Sequence, residues 1–273
     1  MSGSALLAAD SSCHLNSGCG FPAPDATIFN YDAIWQFDIA GLTVHITKPM
    51  LMLWVAAAVV VVFFVLAFRK AVVVPRGIQN IGEMGYLFVR DGIARDTIGA
   101  KGDPFVPVLF SFFFFIWVLN FMSIVPFLQF PVTSRFAIPL AFAVLVYLLW
   151  VPLGVKRQGA GSFFKAMTMP PDVPKAMYVL LIPIEILSNF IVRPFTHSVR
   201  LFANMFAGHM LIVTFSVATW YLLSPSVIGV LGSAASFTVT VGLTGFEMLI
   251  QALQAYVFTL LAAVYINDAV NAH

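Results

Sequence analysis

The chain has 273 residues, of which 60% are hydrophobic and only 10% are charged, and its formal net charge is +2. Soluble domains carry about 25% charged residues, so this composition excludes a soluble protein whose whole surface faces water. It predicts an integral membrane protein with most of its surface against lipid or other helices. The small net charge identifies no partner, and we expect no binding to nucleic acid.

The first polar segment, residues 1–48, contains both cysteines, Cys13 and Cys19. They pair if the segment faces an oxidising compartment and are otherwise two free thiols. Their spacing is not that of a metal site. Residues 1–30 lack the basic region and the long apolar core of a secretory signal. We expect an outer N-terminal tail that lies on the membrane without helix.

Three apolar segments follow, and each is long enough to cross a hydrocarbon core of about 30 Å. Residues 49–68 are the first predicted span, and residues 105–155 contain the second and third, at Phe105–Phe127 and Phe136–Val155. Residues 76–101 mix charged and apolar side chains. This spacing fits an amphipathic helix at the inner membrane surface or a helix of a soluble loop.

Basic residues alternate along the predicted loops. The segment after the first span has six and the polar loop 156–175 has four, whereas the N-terminal tail and the loop 128–135 have one each. Loops rich in Lys and Arg stay in the cytoplasm. The pattern therefore predicts an outside N-terminus and a cytoplasmic C-terminus.

The last two apolar stretches, Lys175–Leu223 and Val227–Ala269, are joined by a Ser-Pro-Ser turn. As continuous helices they would be about 60–70 Å long, twice the membrane thickness. Pro194 favours a break in the first stretch, but neither stretch has a polar turn in its middle. We expect residues 175–271 to form a tilted helical hairpin. The predicted fold is an all-α integral membrane protein, a single membrane domain of five membrane-crossing helices plus one amphipathic helix, with the last two long and steeply tilted as a hairpin.

Polar side chains interrupt both long stretches. Arg200 is the last basic residue, and a charge at bilayer depth costs at least about 2.5–3.5 kcal/mol. On a helix, Arg193 and Asn204 lie within about 40° of Arg200, whereas His209 lies on the opposite face. One face of the second stretch, also within about 40°, carries Glu247, Gln251, Gln254, Tyr265 and Asp268. Polar faces on two neighbouring apolar helices predict a hydrated, functional contact between them inside the membrane.

Each of these residues also has a purely structural interpretation. Arg193 and Arg200 could anchor a short span by reaching the inner surface. The two glutamines could hydrogen-bond between helices. His209 could be a buried core histidine. Glu247 has no long flexible stem, so it must be neutral, paired or hydrated.

Three runs resemble one family. Residues 197–210, H-S-V-R-L-F-A-N-M-F-A-G-H-M, closely resemble the arginine-bearing helix of subunit a of F-type ATP synthase. Residues 249–266, L-I-Q-A-L-Q-A-Y-V-F-T-L-L-A-A-V-Y-I, resemble that subunit's last helix, and L-N-F-M-S-I-V-P-F at residues 119–127 also fits. The resemblance covers nearly all of residues 30–270.

The resemblance implies a non-catalytic proton-channel subunit in the bacterial cell membrane. Its implied partners are the c-subunit rotor ring, b-type peripheral stalk subunits and the rest of the complex, with no cofactor or metal. Arg200 would face the ring and separate two proton half-channels, flanked by Asn204 and Gln254. His209 and Glu247 would line the outer half-channel. This chain departs from the family pattern at Ser123, where many members carry an acidic residue, so the contribution of that helix to the outer half-channel stays open. The remaining positions implied in proton translocation are Gln251, Glu185, Asn189 and Arg193.

Other classes fit less well. A membrane phosphatase would need a further arginine motif after Arg200, and none follows. A stand-alone proton or ion channel, or a secondary transporter, is the alternative, although the two halves of the chain show no internal repeat. A phosphate-binding G-x-x-x-x-G-K-[ST] sequence does not occur, as expected for a subunit without a nucleotide site.

Overall fold

The computed structural model describes residues 14, 20–29, 35–39, 42–69, 72, 74–125, 130–168, 174 and 177–270. Cys13 and Cys19 lie outside the described residues, so the alternatives for their pairing remain predictions.

Helices dominate the described residues. They are α1 (Lys48–Phe68), α2 (Ile78–Val89), α3 (Asp96–Ile98), α4 (Val106–Phe121), α5 (Ala137–Gln158), α6 (Ala160–Thr168), α7 (Tyr178–Leu187), α8 (Arg193–Leu222) and α9 (Val227–Val270). Short 3₁₀ helices occupy Ala26–Phe29, Ala100–Phe105 and Val132–Ser134, and π-helical turns occupy Arg90–Arg95 and Ser188–Val192. Two strands, β1 (Trp35–Ile39) and β2 (Leu42–Ile46), pair antiparallel with Trp35 opposite Ile46.

Five helical segments of the described chain are long and apolar enough to cross a membrane. They are Lys48–Phe68, Ala100–Phe121, Ala137–Gln158, Tyr178–Leu222 and Val227–Val270. The prediction of an all-α membrane protein with five crossing helices is therefore confirmed. The tilt of the last two helices and the position of residues 76–101 relative to the bilayer remain predictions.

The last two segments are each continuous, at 45 and 44 residues. Pro194 does not break the first one, although it lacks the N–H that would bond to the carbonyl of Phe190. The π-helical turn Ser188–Val192 comes just before this proline. A wider turn of this kind accommodates the freed carbonyl without ending the helix.

The structure corrects three local predictions. The second span ends as a helix at Phe121 rather than Phe127, because Ser123 N–H bonds to Asn120 O and Ile124 N–H to Phe121 O in a turn. The predicted loop 156–175 contains α6, whose Phe163 ring lies 5.7 Å from that of Trp150. The strand pair in the N-terminal tail was not predicted, because its alternation is short and mixed in polarity.

The chain divides into two compact units, each described here by itself. The first comprises residues 1–57, 119–135 and 203–252, and the second comprises residues 58–118, 136–202 and 253–273. The expected single membrane domain remains a prediction.

In the first unit, α8 and α9 run antiparallel. Ser233 Oγ donates to Thr219 O at 2.8 Å, and Ser236 Oγ donates to Phe215 O at 3.0 Å. The Gly229 N–H donates to Ser226 Oγ at 3.1 Å, so the Ser-Pro-Ser turn caps the start of α9. Serine hydroxyls thus tie the hairpin without placing charge between its helices.

In the second unit, aromatic rings and close backbone approaches hold the helices together. Phe64 lies 4.5 Å from Phe110 and 4.9 Å from Phe114, between ring centroids. A Cβ on Gly154 would overlap the buried Phe163 ring, so a larger residue here would force α6 away from α5. Gln158 Nε2 donates to the carbonyls of Asp268 and Ala269, which are free at the end of α9.

Candidate functional site

The site residues predicted from the sequence divide between the two units. The first unit contains Asn204, His209, Glu247 and Gln251. The second unit contains Glu185, Asn189, Arg193, Arg200 and Gln254. Each group is part of a larger set of polar side chains on neighbouring elements of its own unit.

Glu247 and Gln251 lie one helical turn apart on α9 and are almost completely buried, at 3% and 0% exposure. Gln251 Nε2 donates to Glu247 Oε1 at 3.3 Å and to Ser123 Oγ at 2.8 Å. A Cβ on Gly208 would lie 3.4 Å from Glu247 Cδ, in ordinary contact. The carboxyl group therefore lies against the backbone of α8 and is bonded to an amide that a third element holds.

Asn120 and Thr133 extend this arrangement. Both are 0% exposed, and Thr133 Oγ1 donates to Asn120 Oδ1 at 2.9 Å. We call the set the first-unit cluster, comprising Asn120, Ser123, Thr133, Glu247 and Gln251. The signal for Asn120 and Ser123 was present in the sequence as two polar residues within an apolar run. The sequence contains no corresponding signal for Thr133, because a threonine in a loop predicts nothing specific.

His209 is partly buried and contacts the N-terminal tail. Its ring lies 5.9 Å from that of Phe29, which in turn lies 5.0 Å from Phe206. Arg135 fixes Phe29 by donating from Nε and Nη2 to its carbonyl, at 3.3 and 3.0 Å. Among the described residues no hydrogen bond or ion pair joins His209 to Glu247, and their pairing remains a prediction.

In the second unit, Asn189 connects several elements. Its Nδ2 donates to Glu185 Oε2 at 3.2 Å and to Met167 O at 2.9 Å. The Tyr147 hydroxyl donates to the Asn189 carbonyl at 3.1 Å. We call Tyr147, Glu185 and Asn189, with the Met167 carbonyl, the second-unit cluster. It ties the π-helical turn Ser188–Val192 to α5 and α6.

Arg193 and Asp268 form a loose ion pair in the second unit. Arg193 Nη1 lies 4.0 Å from Asp268 Oδ2, and the two side chains are 41% and 48% exposed. Exposed pairs contribute about 0–1 kcal/mol. This contact orients the two side chains weakly.

Arg200 and Gln254 differ in exposure. Gln254 is 4% exposed, whereas Arg200 is exposed and has no hydrogen bond or ion pair with the residues that the structure describes. One turn before Arg200, His197 is 3% exposed and its ring packs against that of Phe258 at a tilt of 43°, with 3.9 Å between ring centroids. In the described part of the chain, no three His, Cys, Asp or Glu side chains are grouped as metal ligands.

Comparison with known proteins shows the family. The sequence pattern of the family described as ATP synthase A chain matches residues 50–267, which is more than half of the chain. The chain belongs to this family. Relatives called ATP synthase subunit a are 46% identical in Streptomyces lividans, covering 98% of this chain and 94% of the relative, and 46% identical in Frankia alni, covering 92% and 86%. A third, from Pseudarthrobacter chlorophenolicus, is 42% identical over 92% and 97%.

Membership of the ATP synthase A chain family confirms the resemblance read from the three sequence runs. Together with the five long apolar helices, it identifies a bacterial membrane protein. The matched region contains α2 to α8 and nearly all of α1 and α9, so both polar clusters lie within the family's pattern.

Proposed function

We propose that the chain is the stator subunit of a rotary, proton-translocating ATP synthase. It provides two offset proton half-channels to the c-subunit ring, separated by Arg200, and so couples proton flow to rotation. The subunit itself is non-catalytic, and the chemistry of ATP belongs to the soluble part of the complex. It lies in the bacterial cell membrane with its N-terminus outside and its C-terminus in the cytoplasm.

Arg200 is the observation that carries this proposal. It is exposed within an apolar segment of 45 residues and makes no hydrogen bond or ion pair with the described residues. An unpaired charge facing lipid is expensive, so its guanidinium must meet water or a polar partner. The carboxylate of a ring subunit is such a partner.

The chemistry of an arginine suits this role. A fixed positive charge within about 4–6 Å favours the ionised form of a carboxylate, so each ring carboxyl that arrives releases its proton. A guanidinium does not itself lose a proton, whereas a lysine ammonium can. Arg200 therefore blocks direct proton transfer from one half-channel to the other.

The polar residues of each unit supply one path. In the first unit, His209 and Glu247 line the outer half-channel. An imidazole can accept a proton on one ring nitrogen and release one from the other, so His209 can pass a proton on. In the second unit, Glu185, Asn189 and Arg193 line the inner half-channel, and Gln254 flanks Arg200.

Proton flow supplies the free energy of rotation. Each proton that crosses 100 mV releases about 2.3 kcal/mol. Because the two paths are offset, a proton bound to the ring reaches the second path only after the ring has turned. The b-type peripheral stalk holds the stator against this torque.

The test is ATP-driven proton pumping in inverted membranes. We expect Arg200→Ala to abolish pumping while the complex still assembles. The matched control is Arg157→Ala, which removes an exposed arginine from the end of α5 and should pump normally. Normal pumping by Arg200→Ala would overturn the proposal.

A further inference from the structure

Only one of the two carboxyl oxygens of Glu247 accepts a hydrogen bond. Its Oε1 accepts the hydrogen bond from Gln251, whereas its Oε2 is buried and has no hydrogen-bond partner among the described residues. The two carboxyl oxygens are therefore inequivalent. A group that must gain and lose a proton works best when one oxygen is fixed and the other has no competing partner, so that a proton donor can bond to it.

Gln251 is itself fixed by a second element. A side-chain amide has two N–H donors, and Gln251 directs them at Ser123 Oγ and Glu247 Oε1. The last torsion of a glutamine has broad minima, so it does not by itself fix the direction of the amide. Because the bond to Ser123 is short, at 2.8 Å, it determines which way the amide faces Glu247.

Ser123 is held in place by its own backbone. It lies in the turn that follows α4, where its N–H donates to Asn120 O at 3.0 Å, and it is 3% exposed. Its hydroxyl therefore comes from an element separate from α9 in the sequence. A rotation of Glu247 would break a bond that is anchored outside its own helix.

We propose that Ser123 is a positioning residue, which acts through Gln251 to fix the Glu247 carboxyl so that Oε2 exchanges the proton. This inference rests on the proposed function and assigns to Ser123 a part in the outer half-channel. Ser123 carries no transferable charge; it orients the acid that does.

A purely structural role for the same bonds, as a link between helices, predicts different results. In that case Ser123→Ala would weaken the subunit but would leave the environment of Glu247 unchanged. The experiment therefore needs both an activity measurement and a direct probe of the carboxyl group.

The experiment uses the whole ATP synthase in proteoliposomes, with proton pumping measured at equal amounts of assembled complex. Ser123→Ala should lower pumping about tenfold, because a hydrogen bond that orients a charged group is lost. Ser123→Thr, which keeps the hydroxyl, should restore most of that loss. Ser111→Ala is the matched control, because its hydroxyl bonds only to Pro107 O within α4 and its loss should change nothing.

Infrared difference spectroscopy is the direct probe. The carboxyl band that disappears in Glu247→Gln should shift in Ser123→Ala and in Gln251→Leu, but not in Ser111→Ala. The double variant Ser123→Ala/Gln251→Leu should be no worse than Gln251→Leu alone, because both act on one chain of bonds. Normal pumping by Ser123→Ala, or a lower rate with an unshifted band, would overturn the inference.

Glu247→Gln separates this inference from the proposed function. If Glu247→Gln pumps normally, the outer half-channel itself is wrongly assigned. If it is inactive while Ser123→Ala is normal, the half-channel stands and only the role of Ser123 is wrong.

Discussion

The first-unit cluster and the second-unit cluster hold their polar side chains in different ways. In the first, the bonds run from side chain to side chain between separate elements, as from Gln251 to Ser123 and from Thr133 to Asn120. In the second, the backbone takes part: Asn189 donates to the Met167 carbonyl, and its own carbonyl accepts from Tyr147. The first cluster is also the more completely buried, since Glu185 remains partly exposed.

This difference determines how each cluster responds to substitution. When both partners are buried side chains, removing one leaves the other unsatisfied, at a cost of about 1–3 kcal/mol. In the second cluster Tyr147 and Glu185 are only partly buried, so water can replace a donor that is lost. We therefore expect the first-unit cluster to tolerate substitution less well than the second.

Within the two clusters, the largest effect is expected at Glu247. Glu247→Gln keeps the shape of the side chain but cannot take up a proton, so proton pumping should fall by about a hundredfold or more. Glu83→Gln is the matched control; Glu83 accepts a bond from Gln79 on α2 and has no proposed role in proton transfer. Pumping by the two variants is compared in inverted membranes, and equal rates would contradict the assignment of Glu247.

A smaller loss is expected at Asn189 in the second unit. Asn189→Leu removes the donor to Glu185 and to the Met167 carbonyl, so the π-helical turn loses its tie to α6. We expect pumping to fall about tenfold, the equivalent of one strong hydrogen bond. Asn80→Leu, at an exposed asparagine of α2, is the control. A loss as large as that of Glu247→Gln would remove the expected difference between the clusters.

Two hydroxyl deletions compare the clusters directly. Thr133→Val leaves Asn120 Oδ1 buried without its donor, whereas Tyr147→Phe removes a donor from a backbone carbonyl. Thr133→Val should destabilise the subunit by about 1–3 kcal/mol and Tyr147→Phe by about 0.5–1.5 kcal/mol. The midpoint of thermal dissociation of the purified complex measures both. A lower midpoint for Tyr147→Phe than for Thr133→Val would reverse the comparison.

The sequence predicted what depends on long apolar runs and on isolated polar residues within them. Five spans and the positions of Arg200, Glu247 and Asn189 follow from the cost of burying charge or polar groups in lipid. The partners of these residues could not be predicted, because Thr133, Tyr147 and the Met167 carbonyl have nothing unusual in their local sequence. Helix α6 was missed for a similar reason: the contact of Phe163 with Gly154 and Trp150 is tertiary.

The smallest effect is expected at the ion pair of Arg193 and Asp268, which is the most exposed contact of the site residues. Its separation of 4.0 Å and its half-exposed side chains predict a coupling below about 1 kcal/mol. A double-mutant cycle with Arg193→Gln and Asp268→Asn measures that coupling through the thermal midpoint of the complex, and salt should reduce it further because exposed charges are screened. A coupling as large as that between Thr133 and Asn120 would mean that the pair is buried in the assembled complex. In that case the exposure of the two side chains would hold only for the isolated subunit.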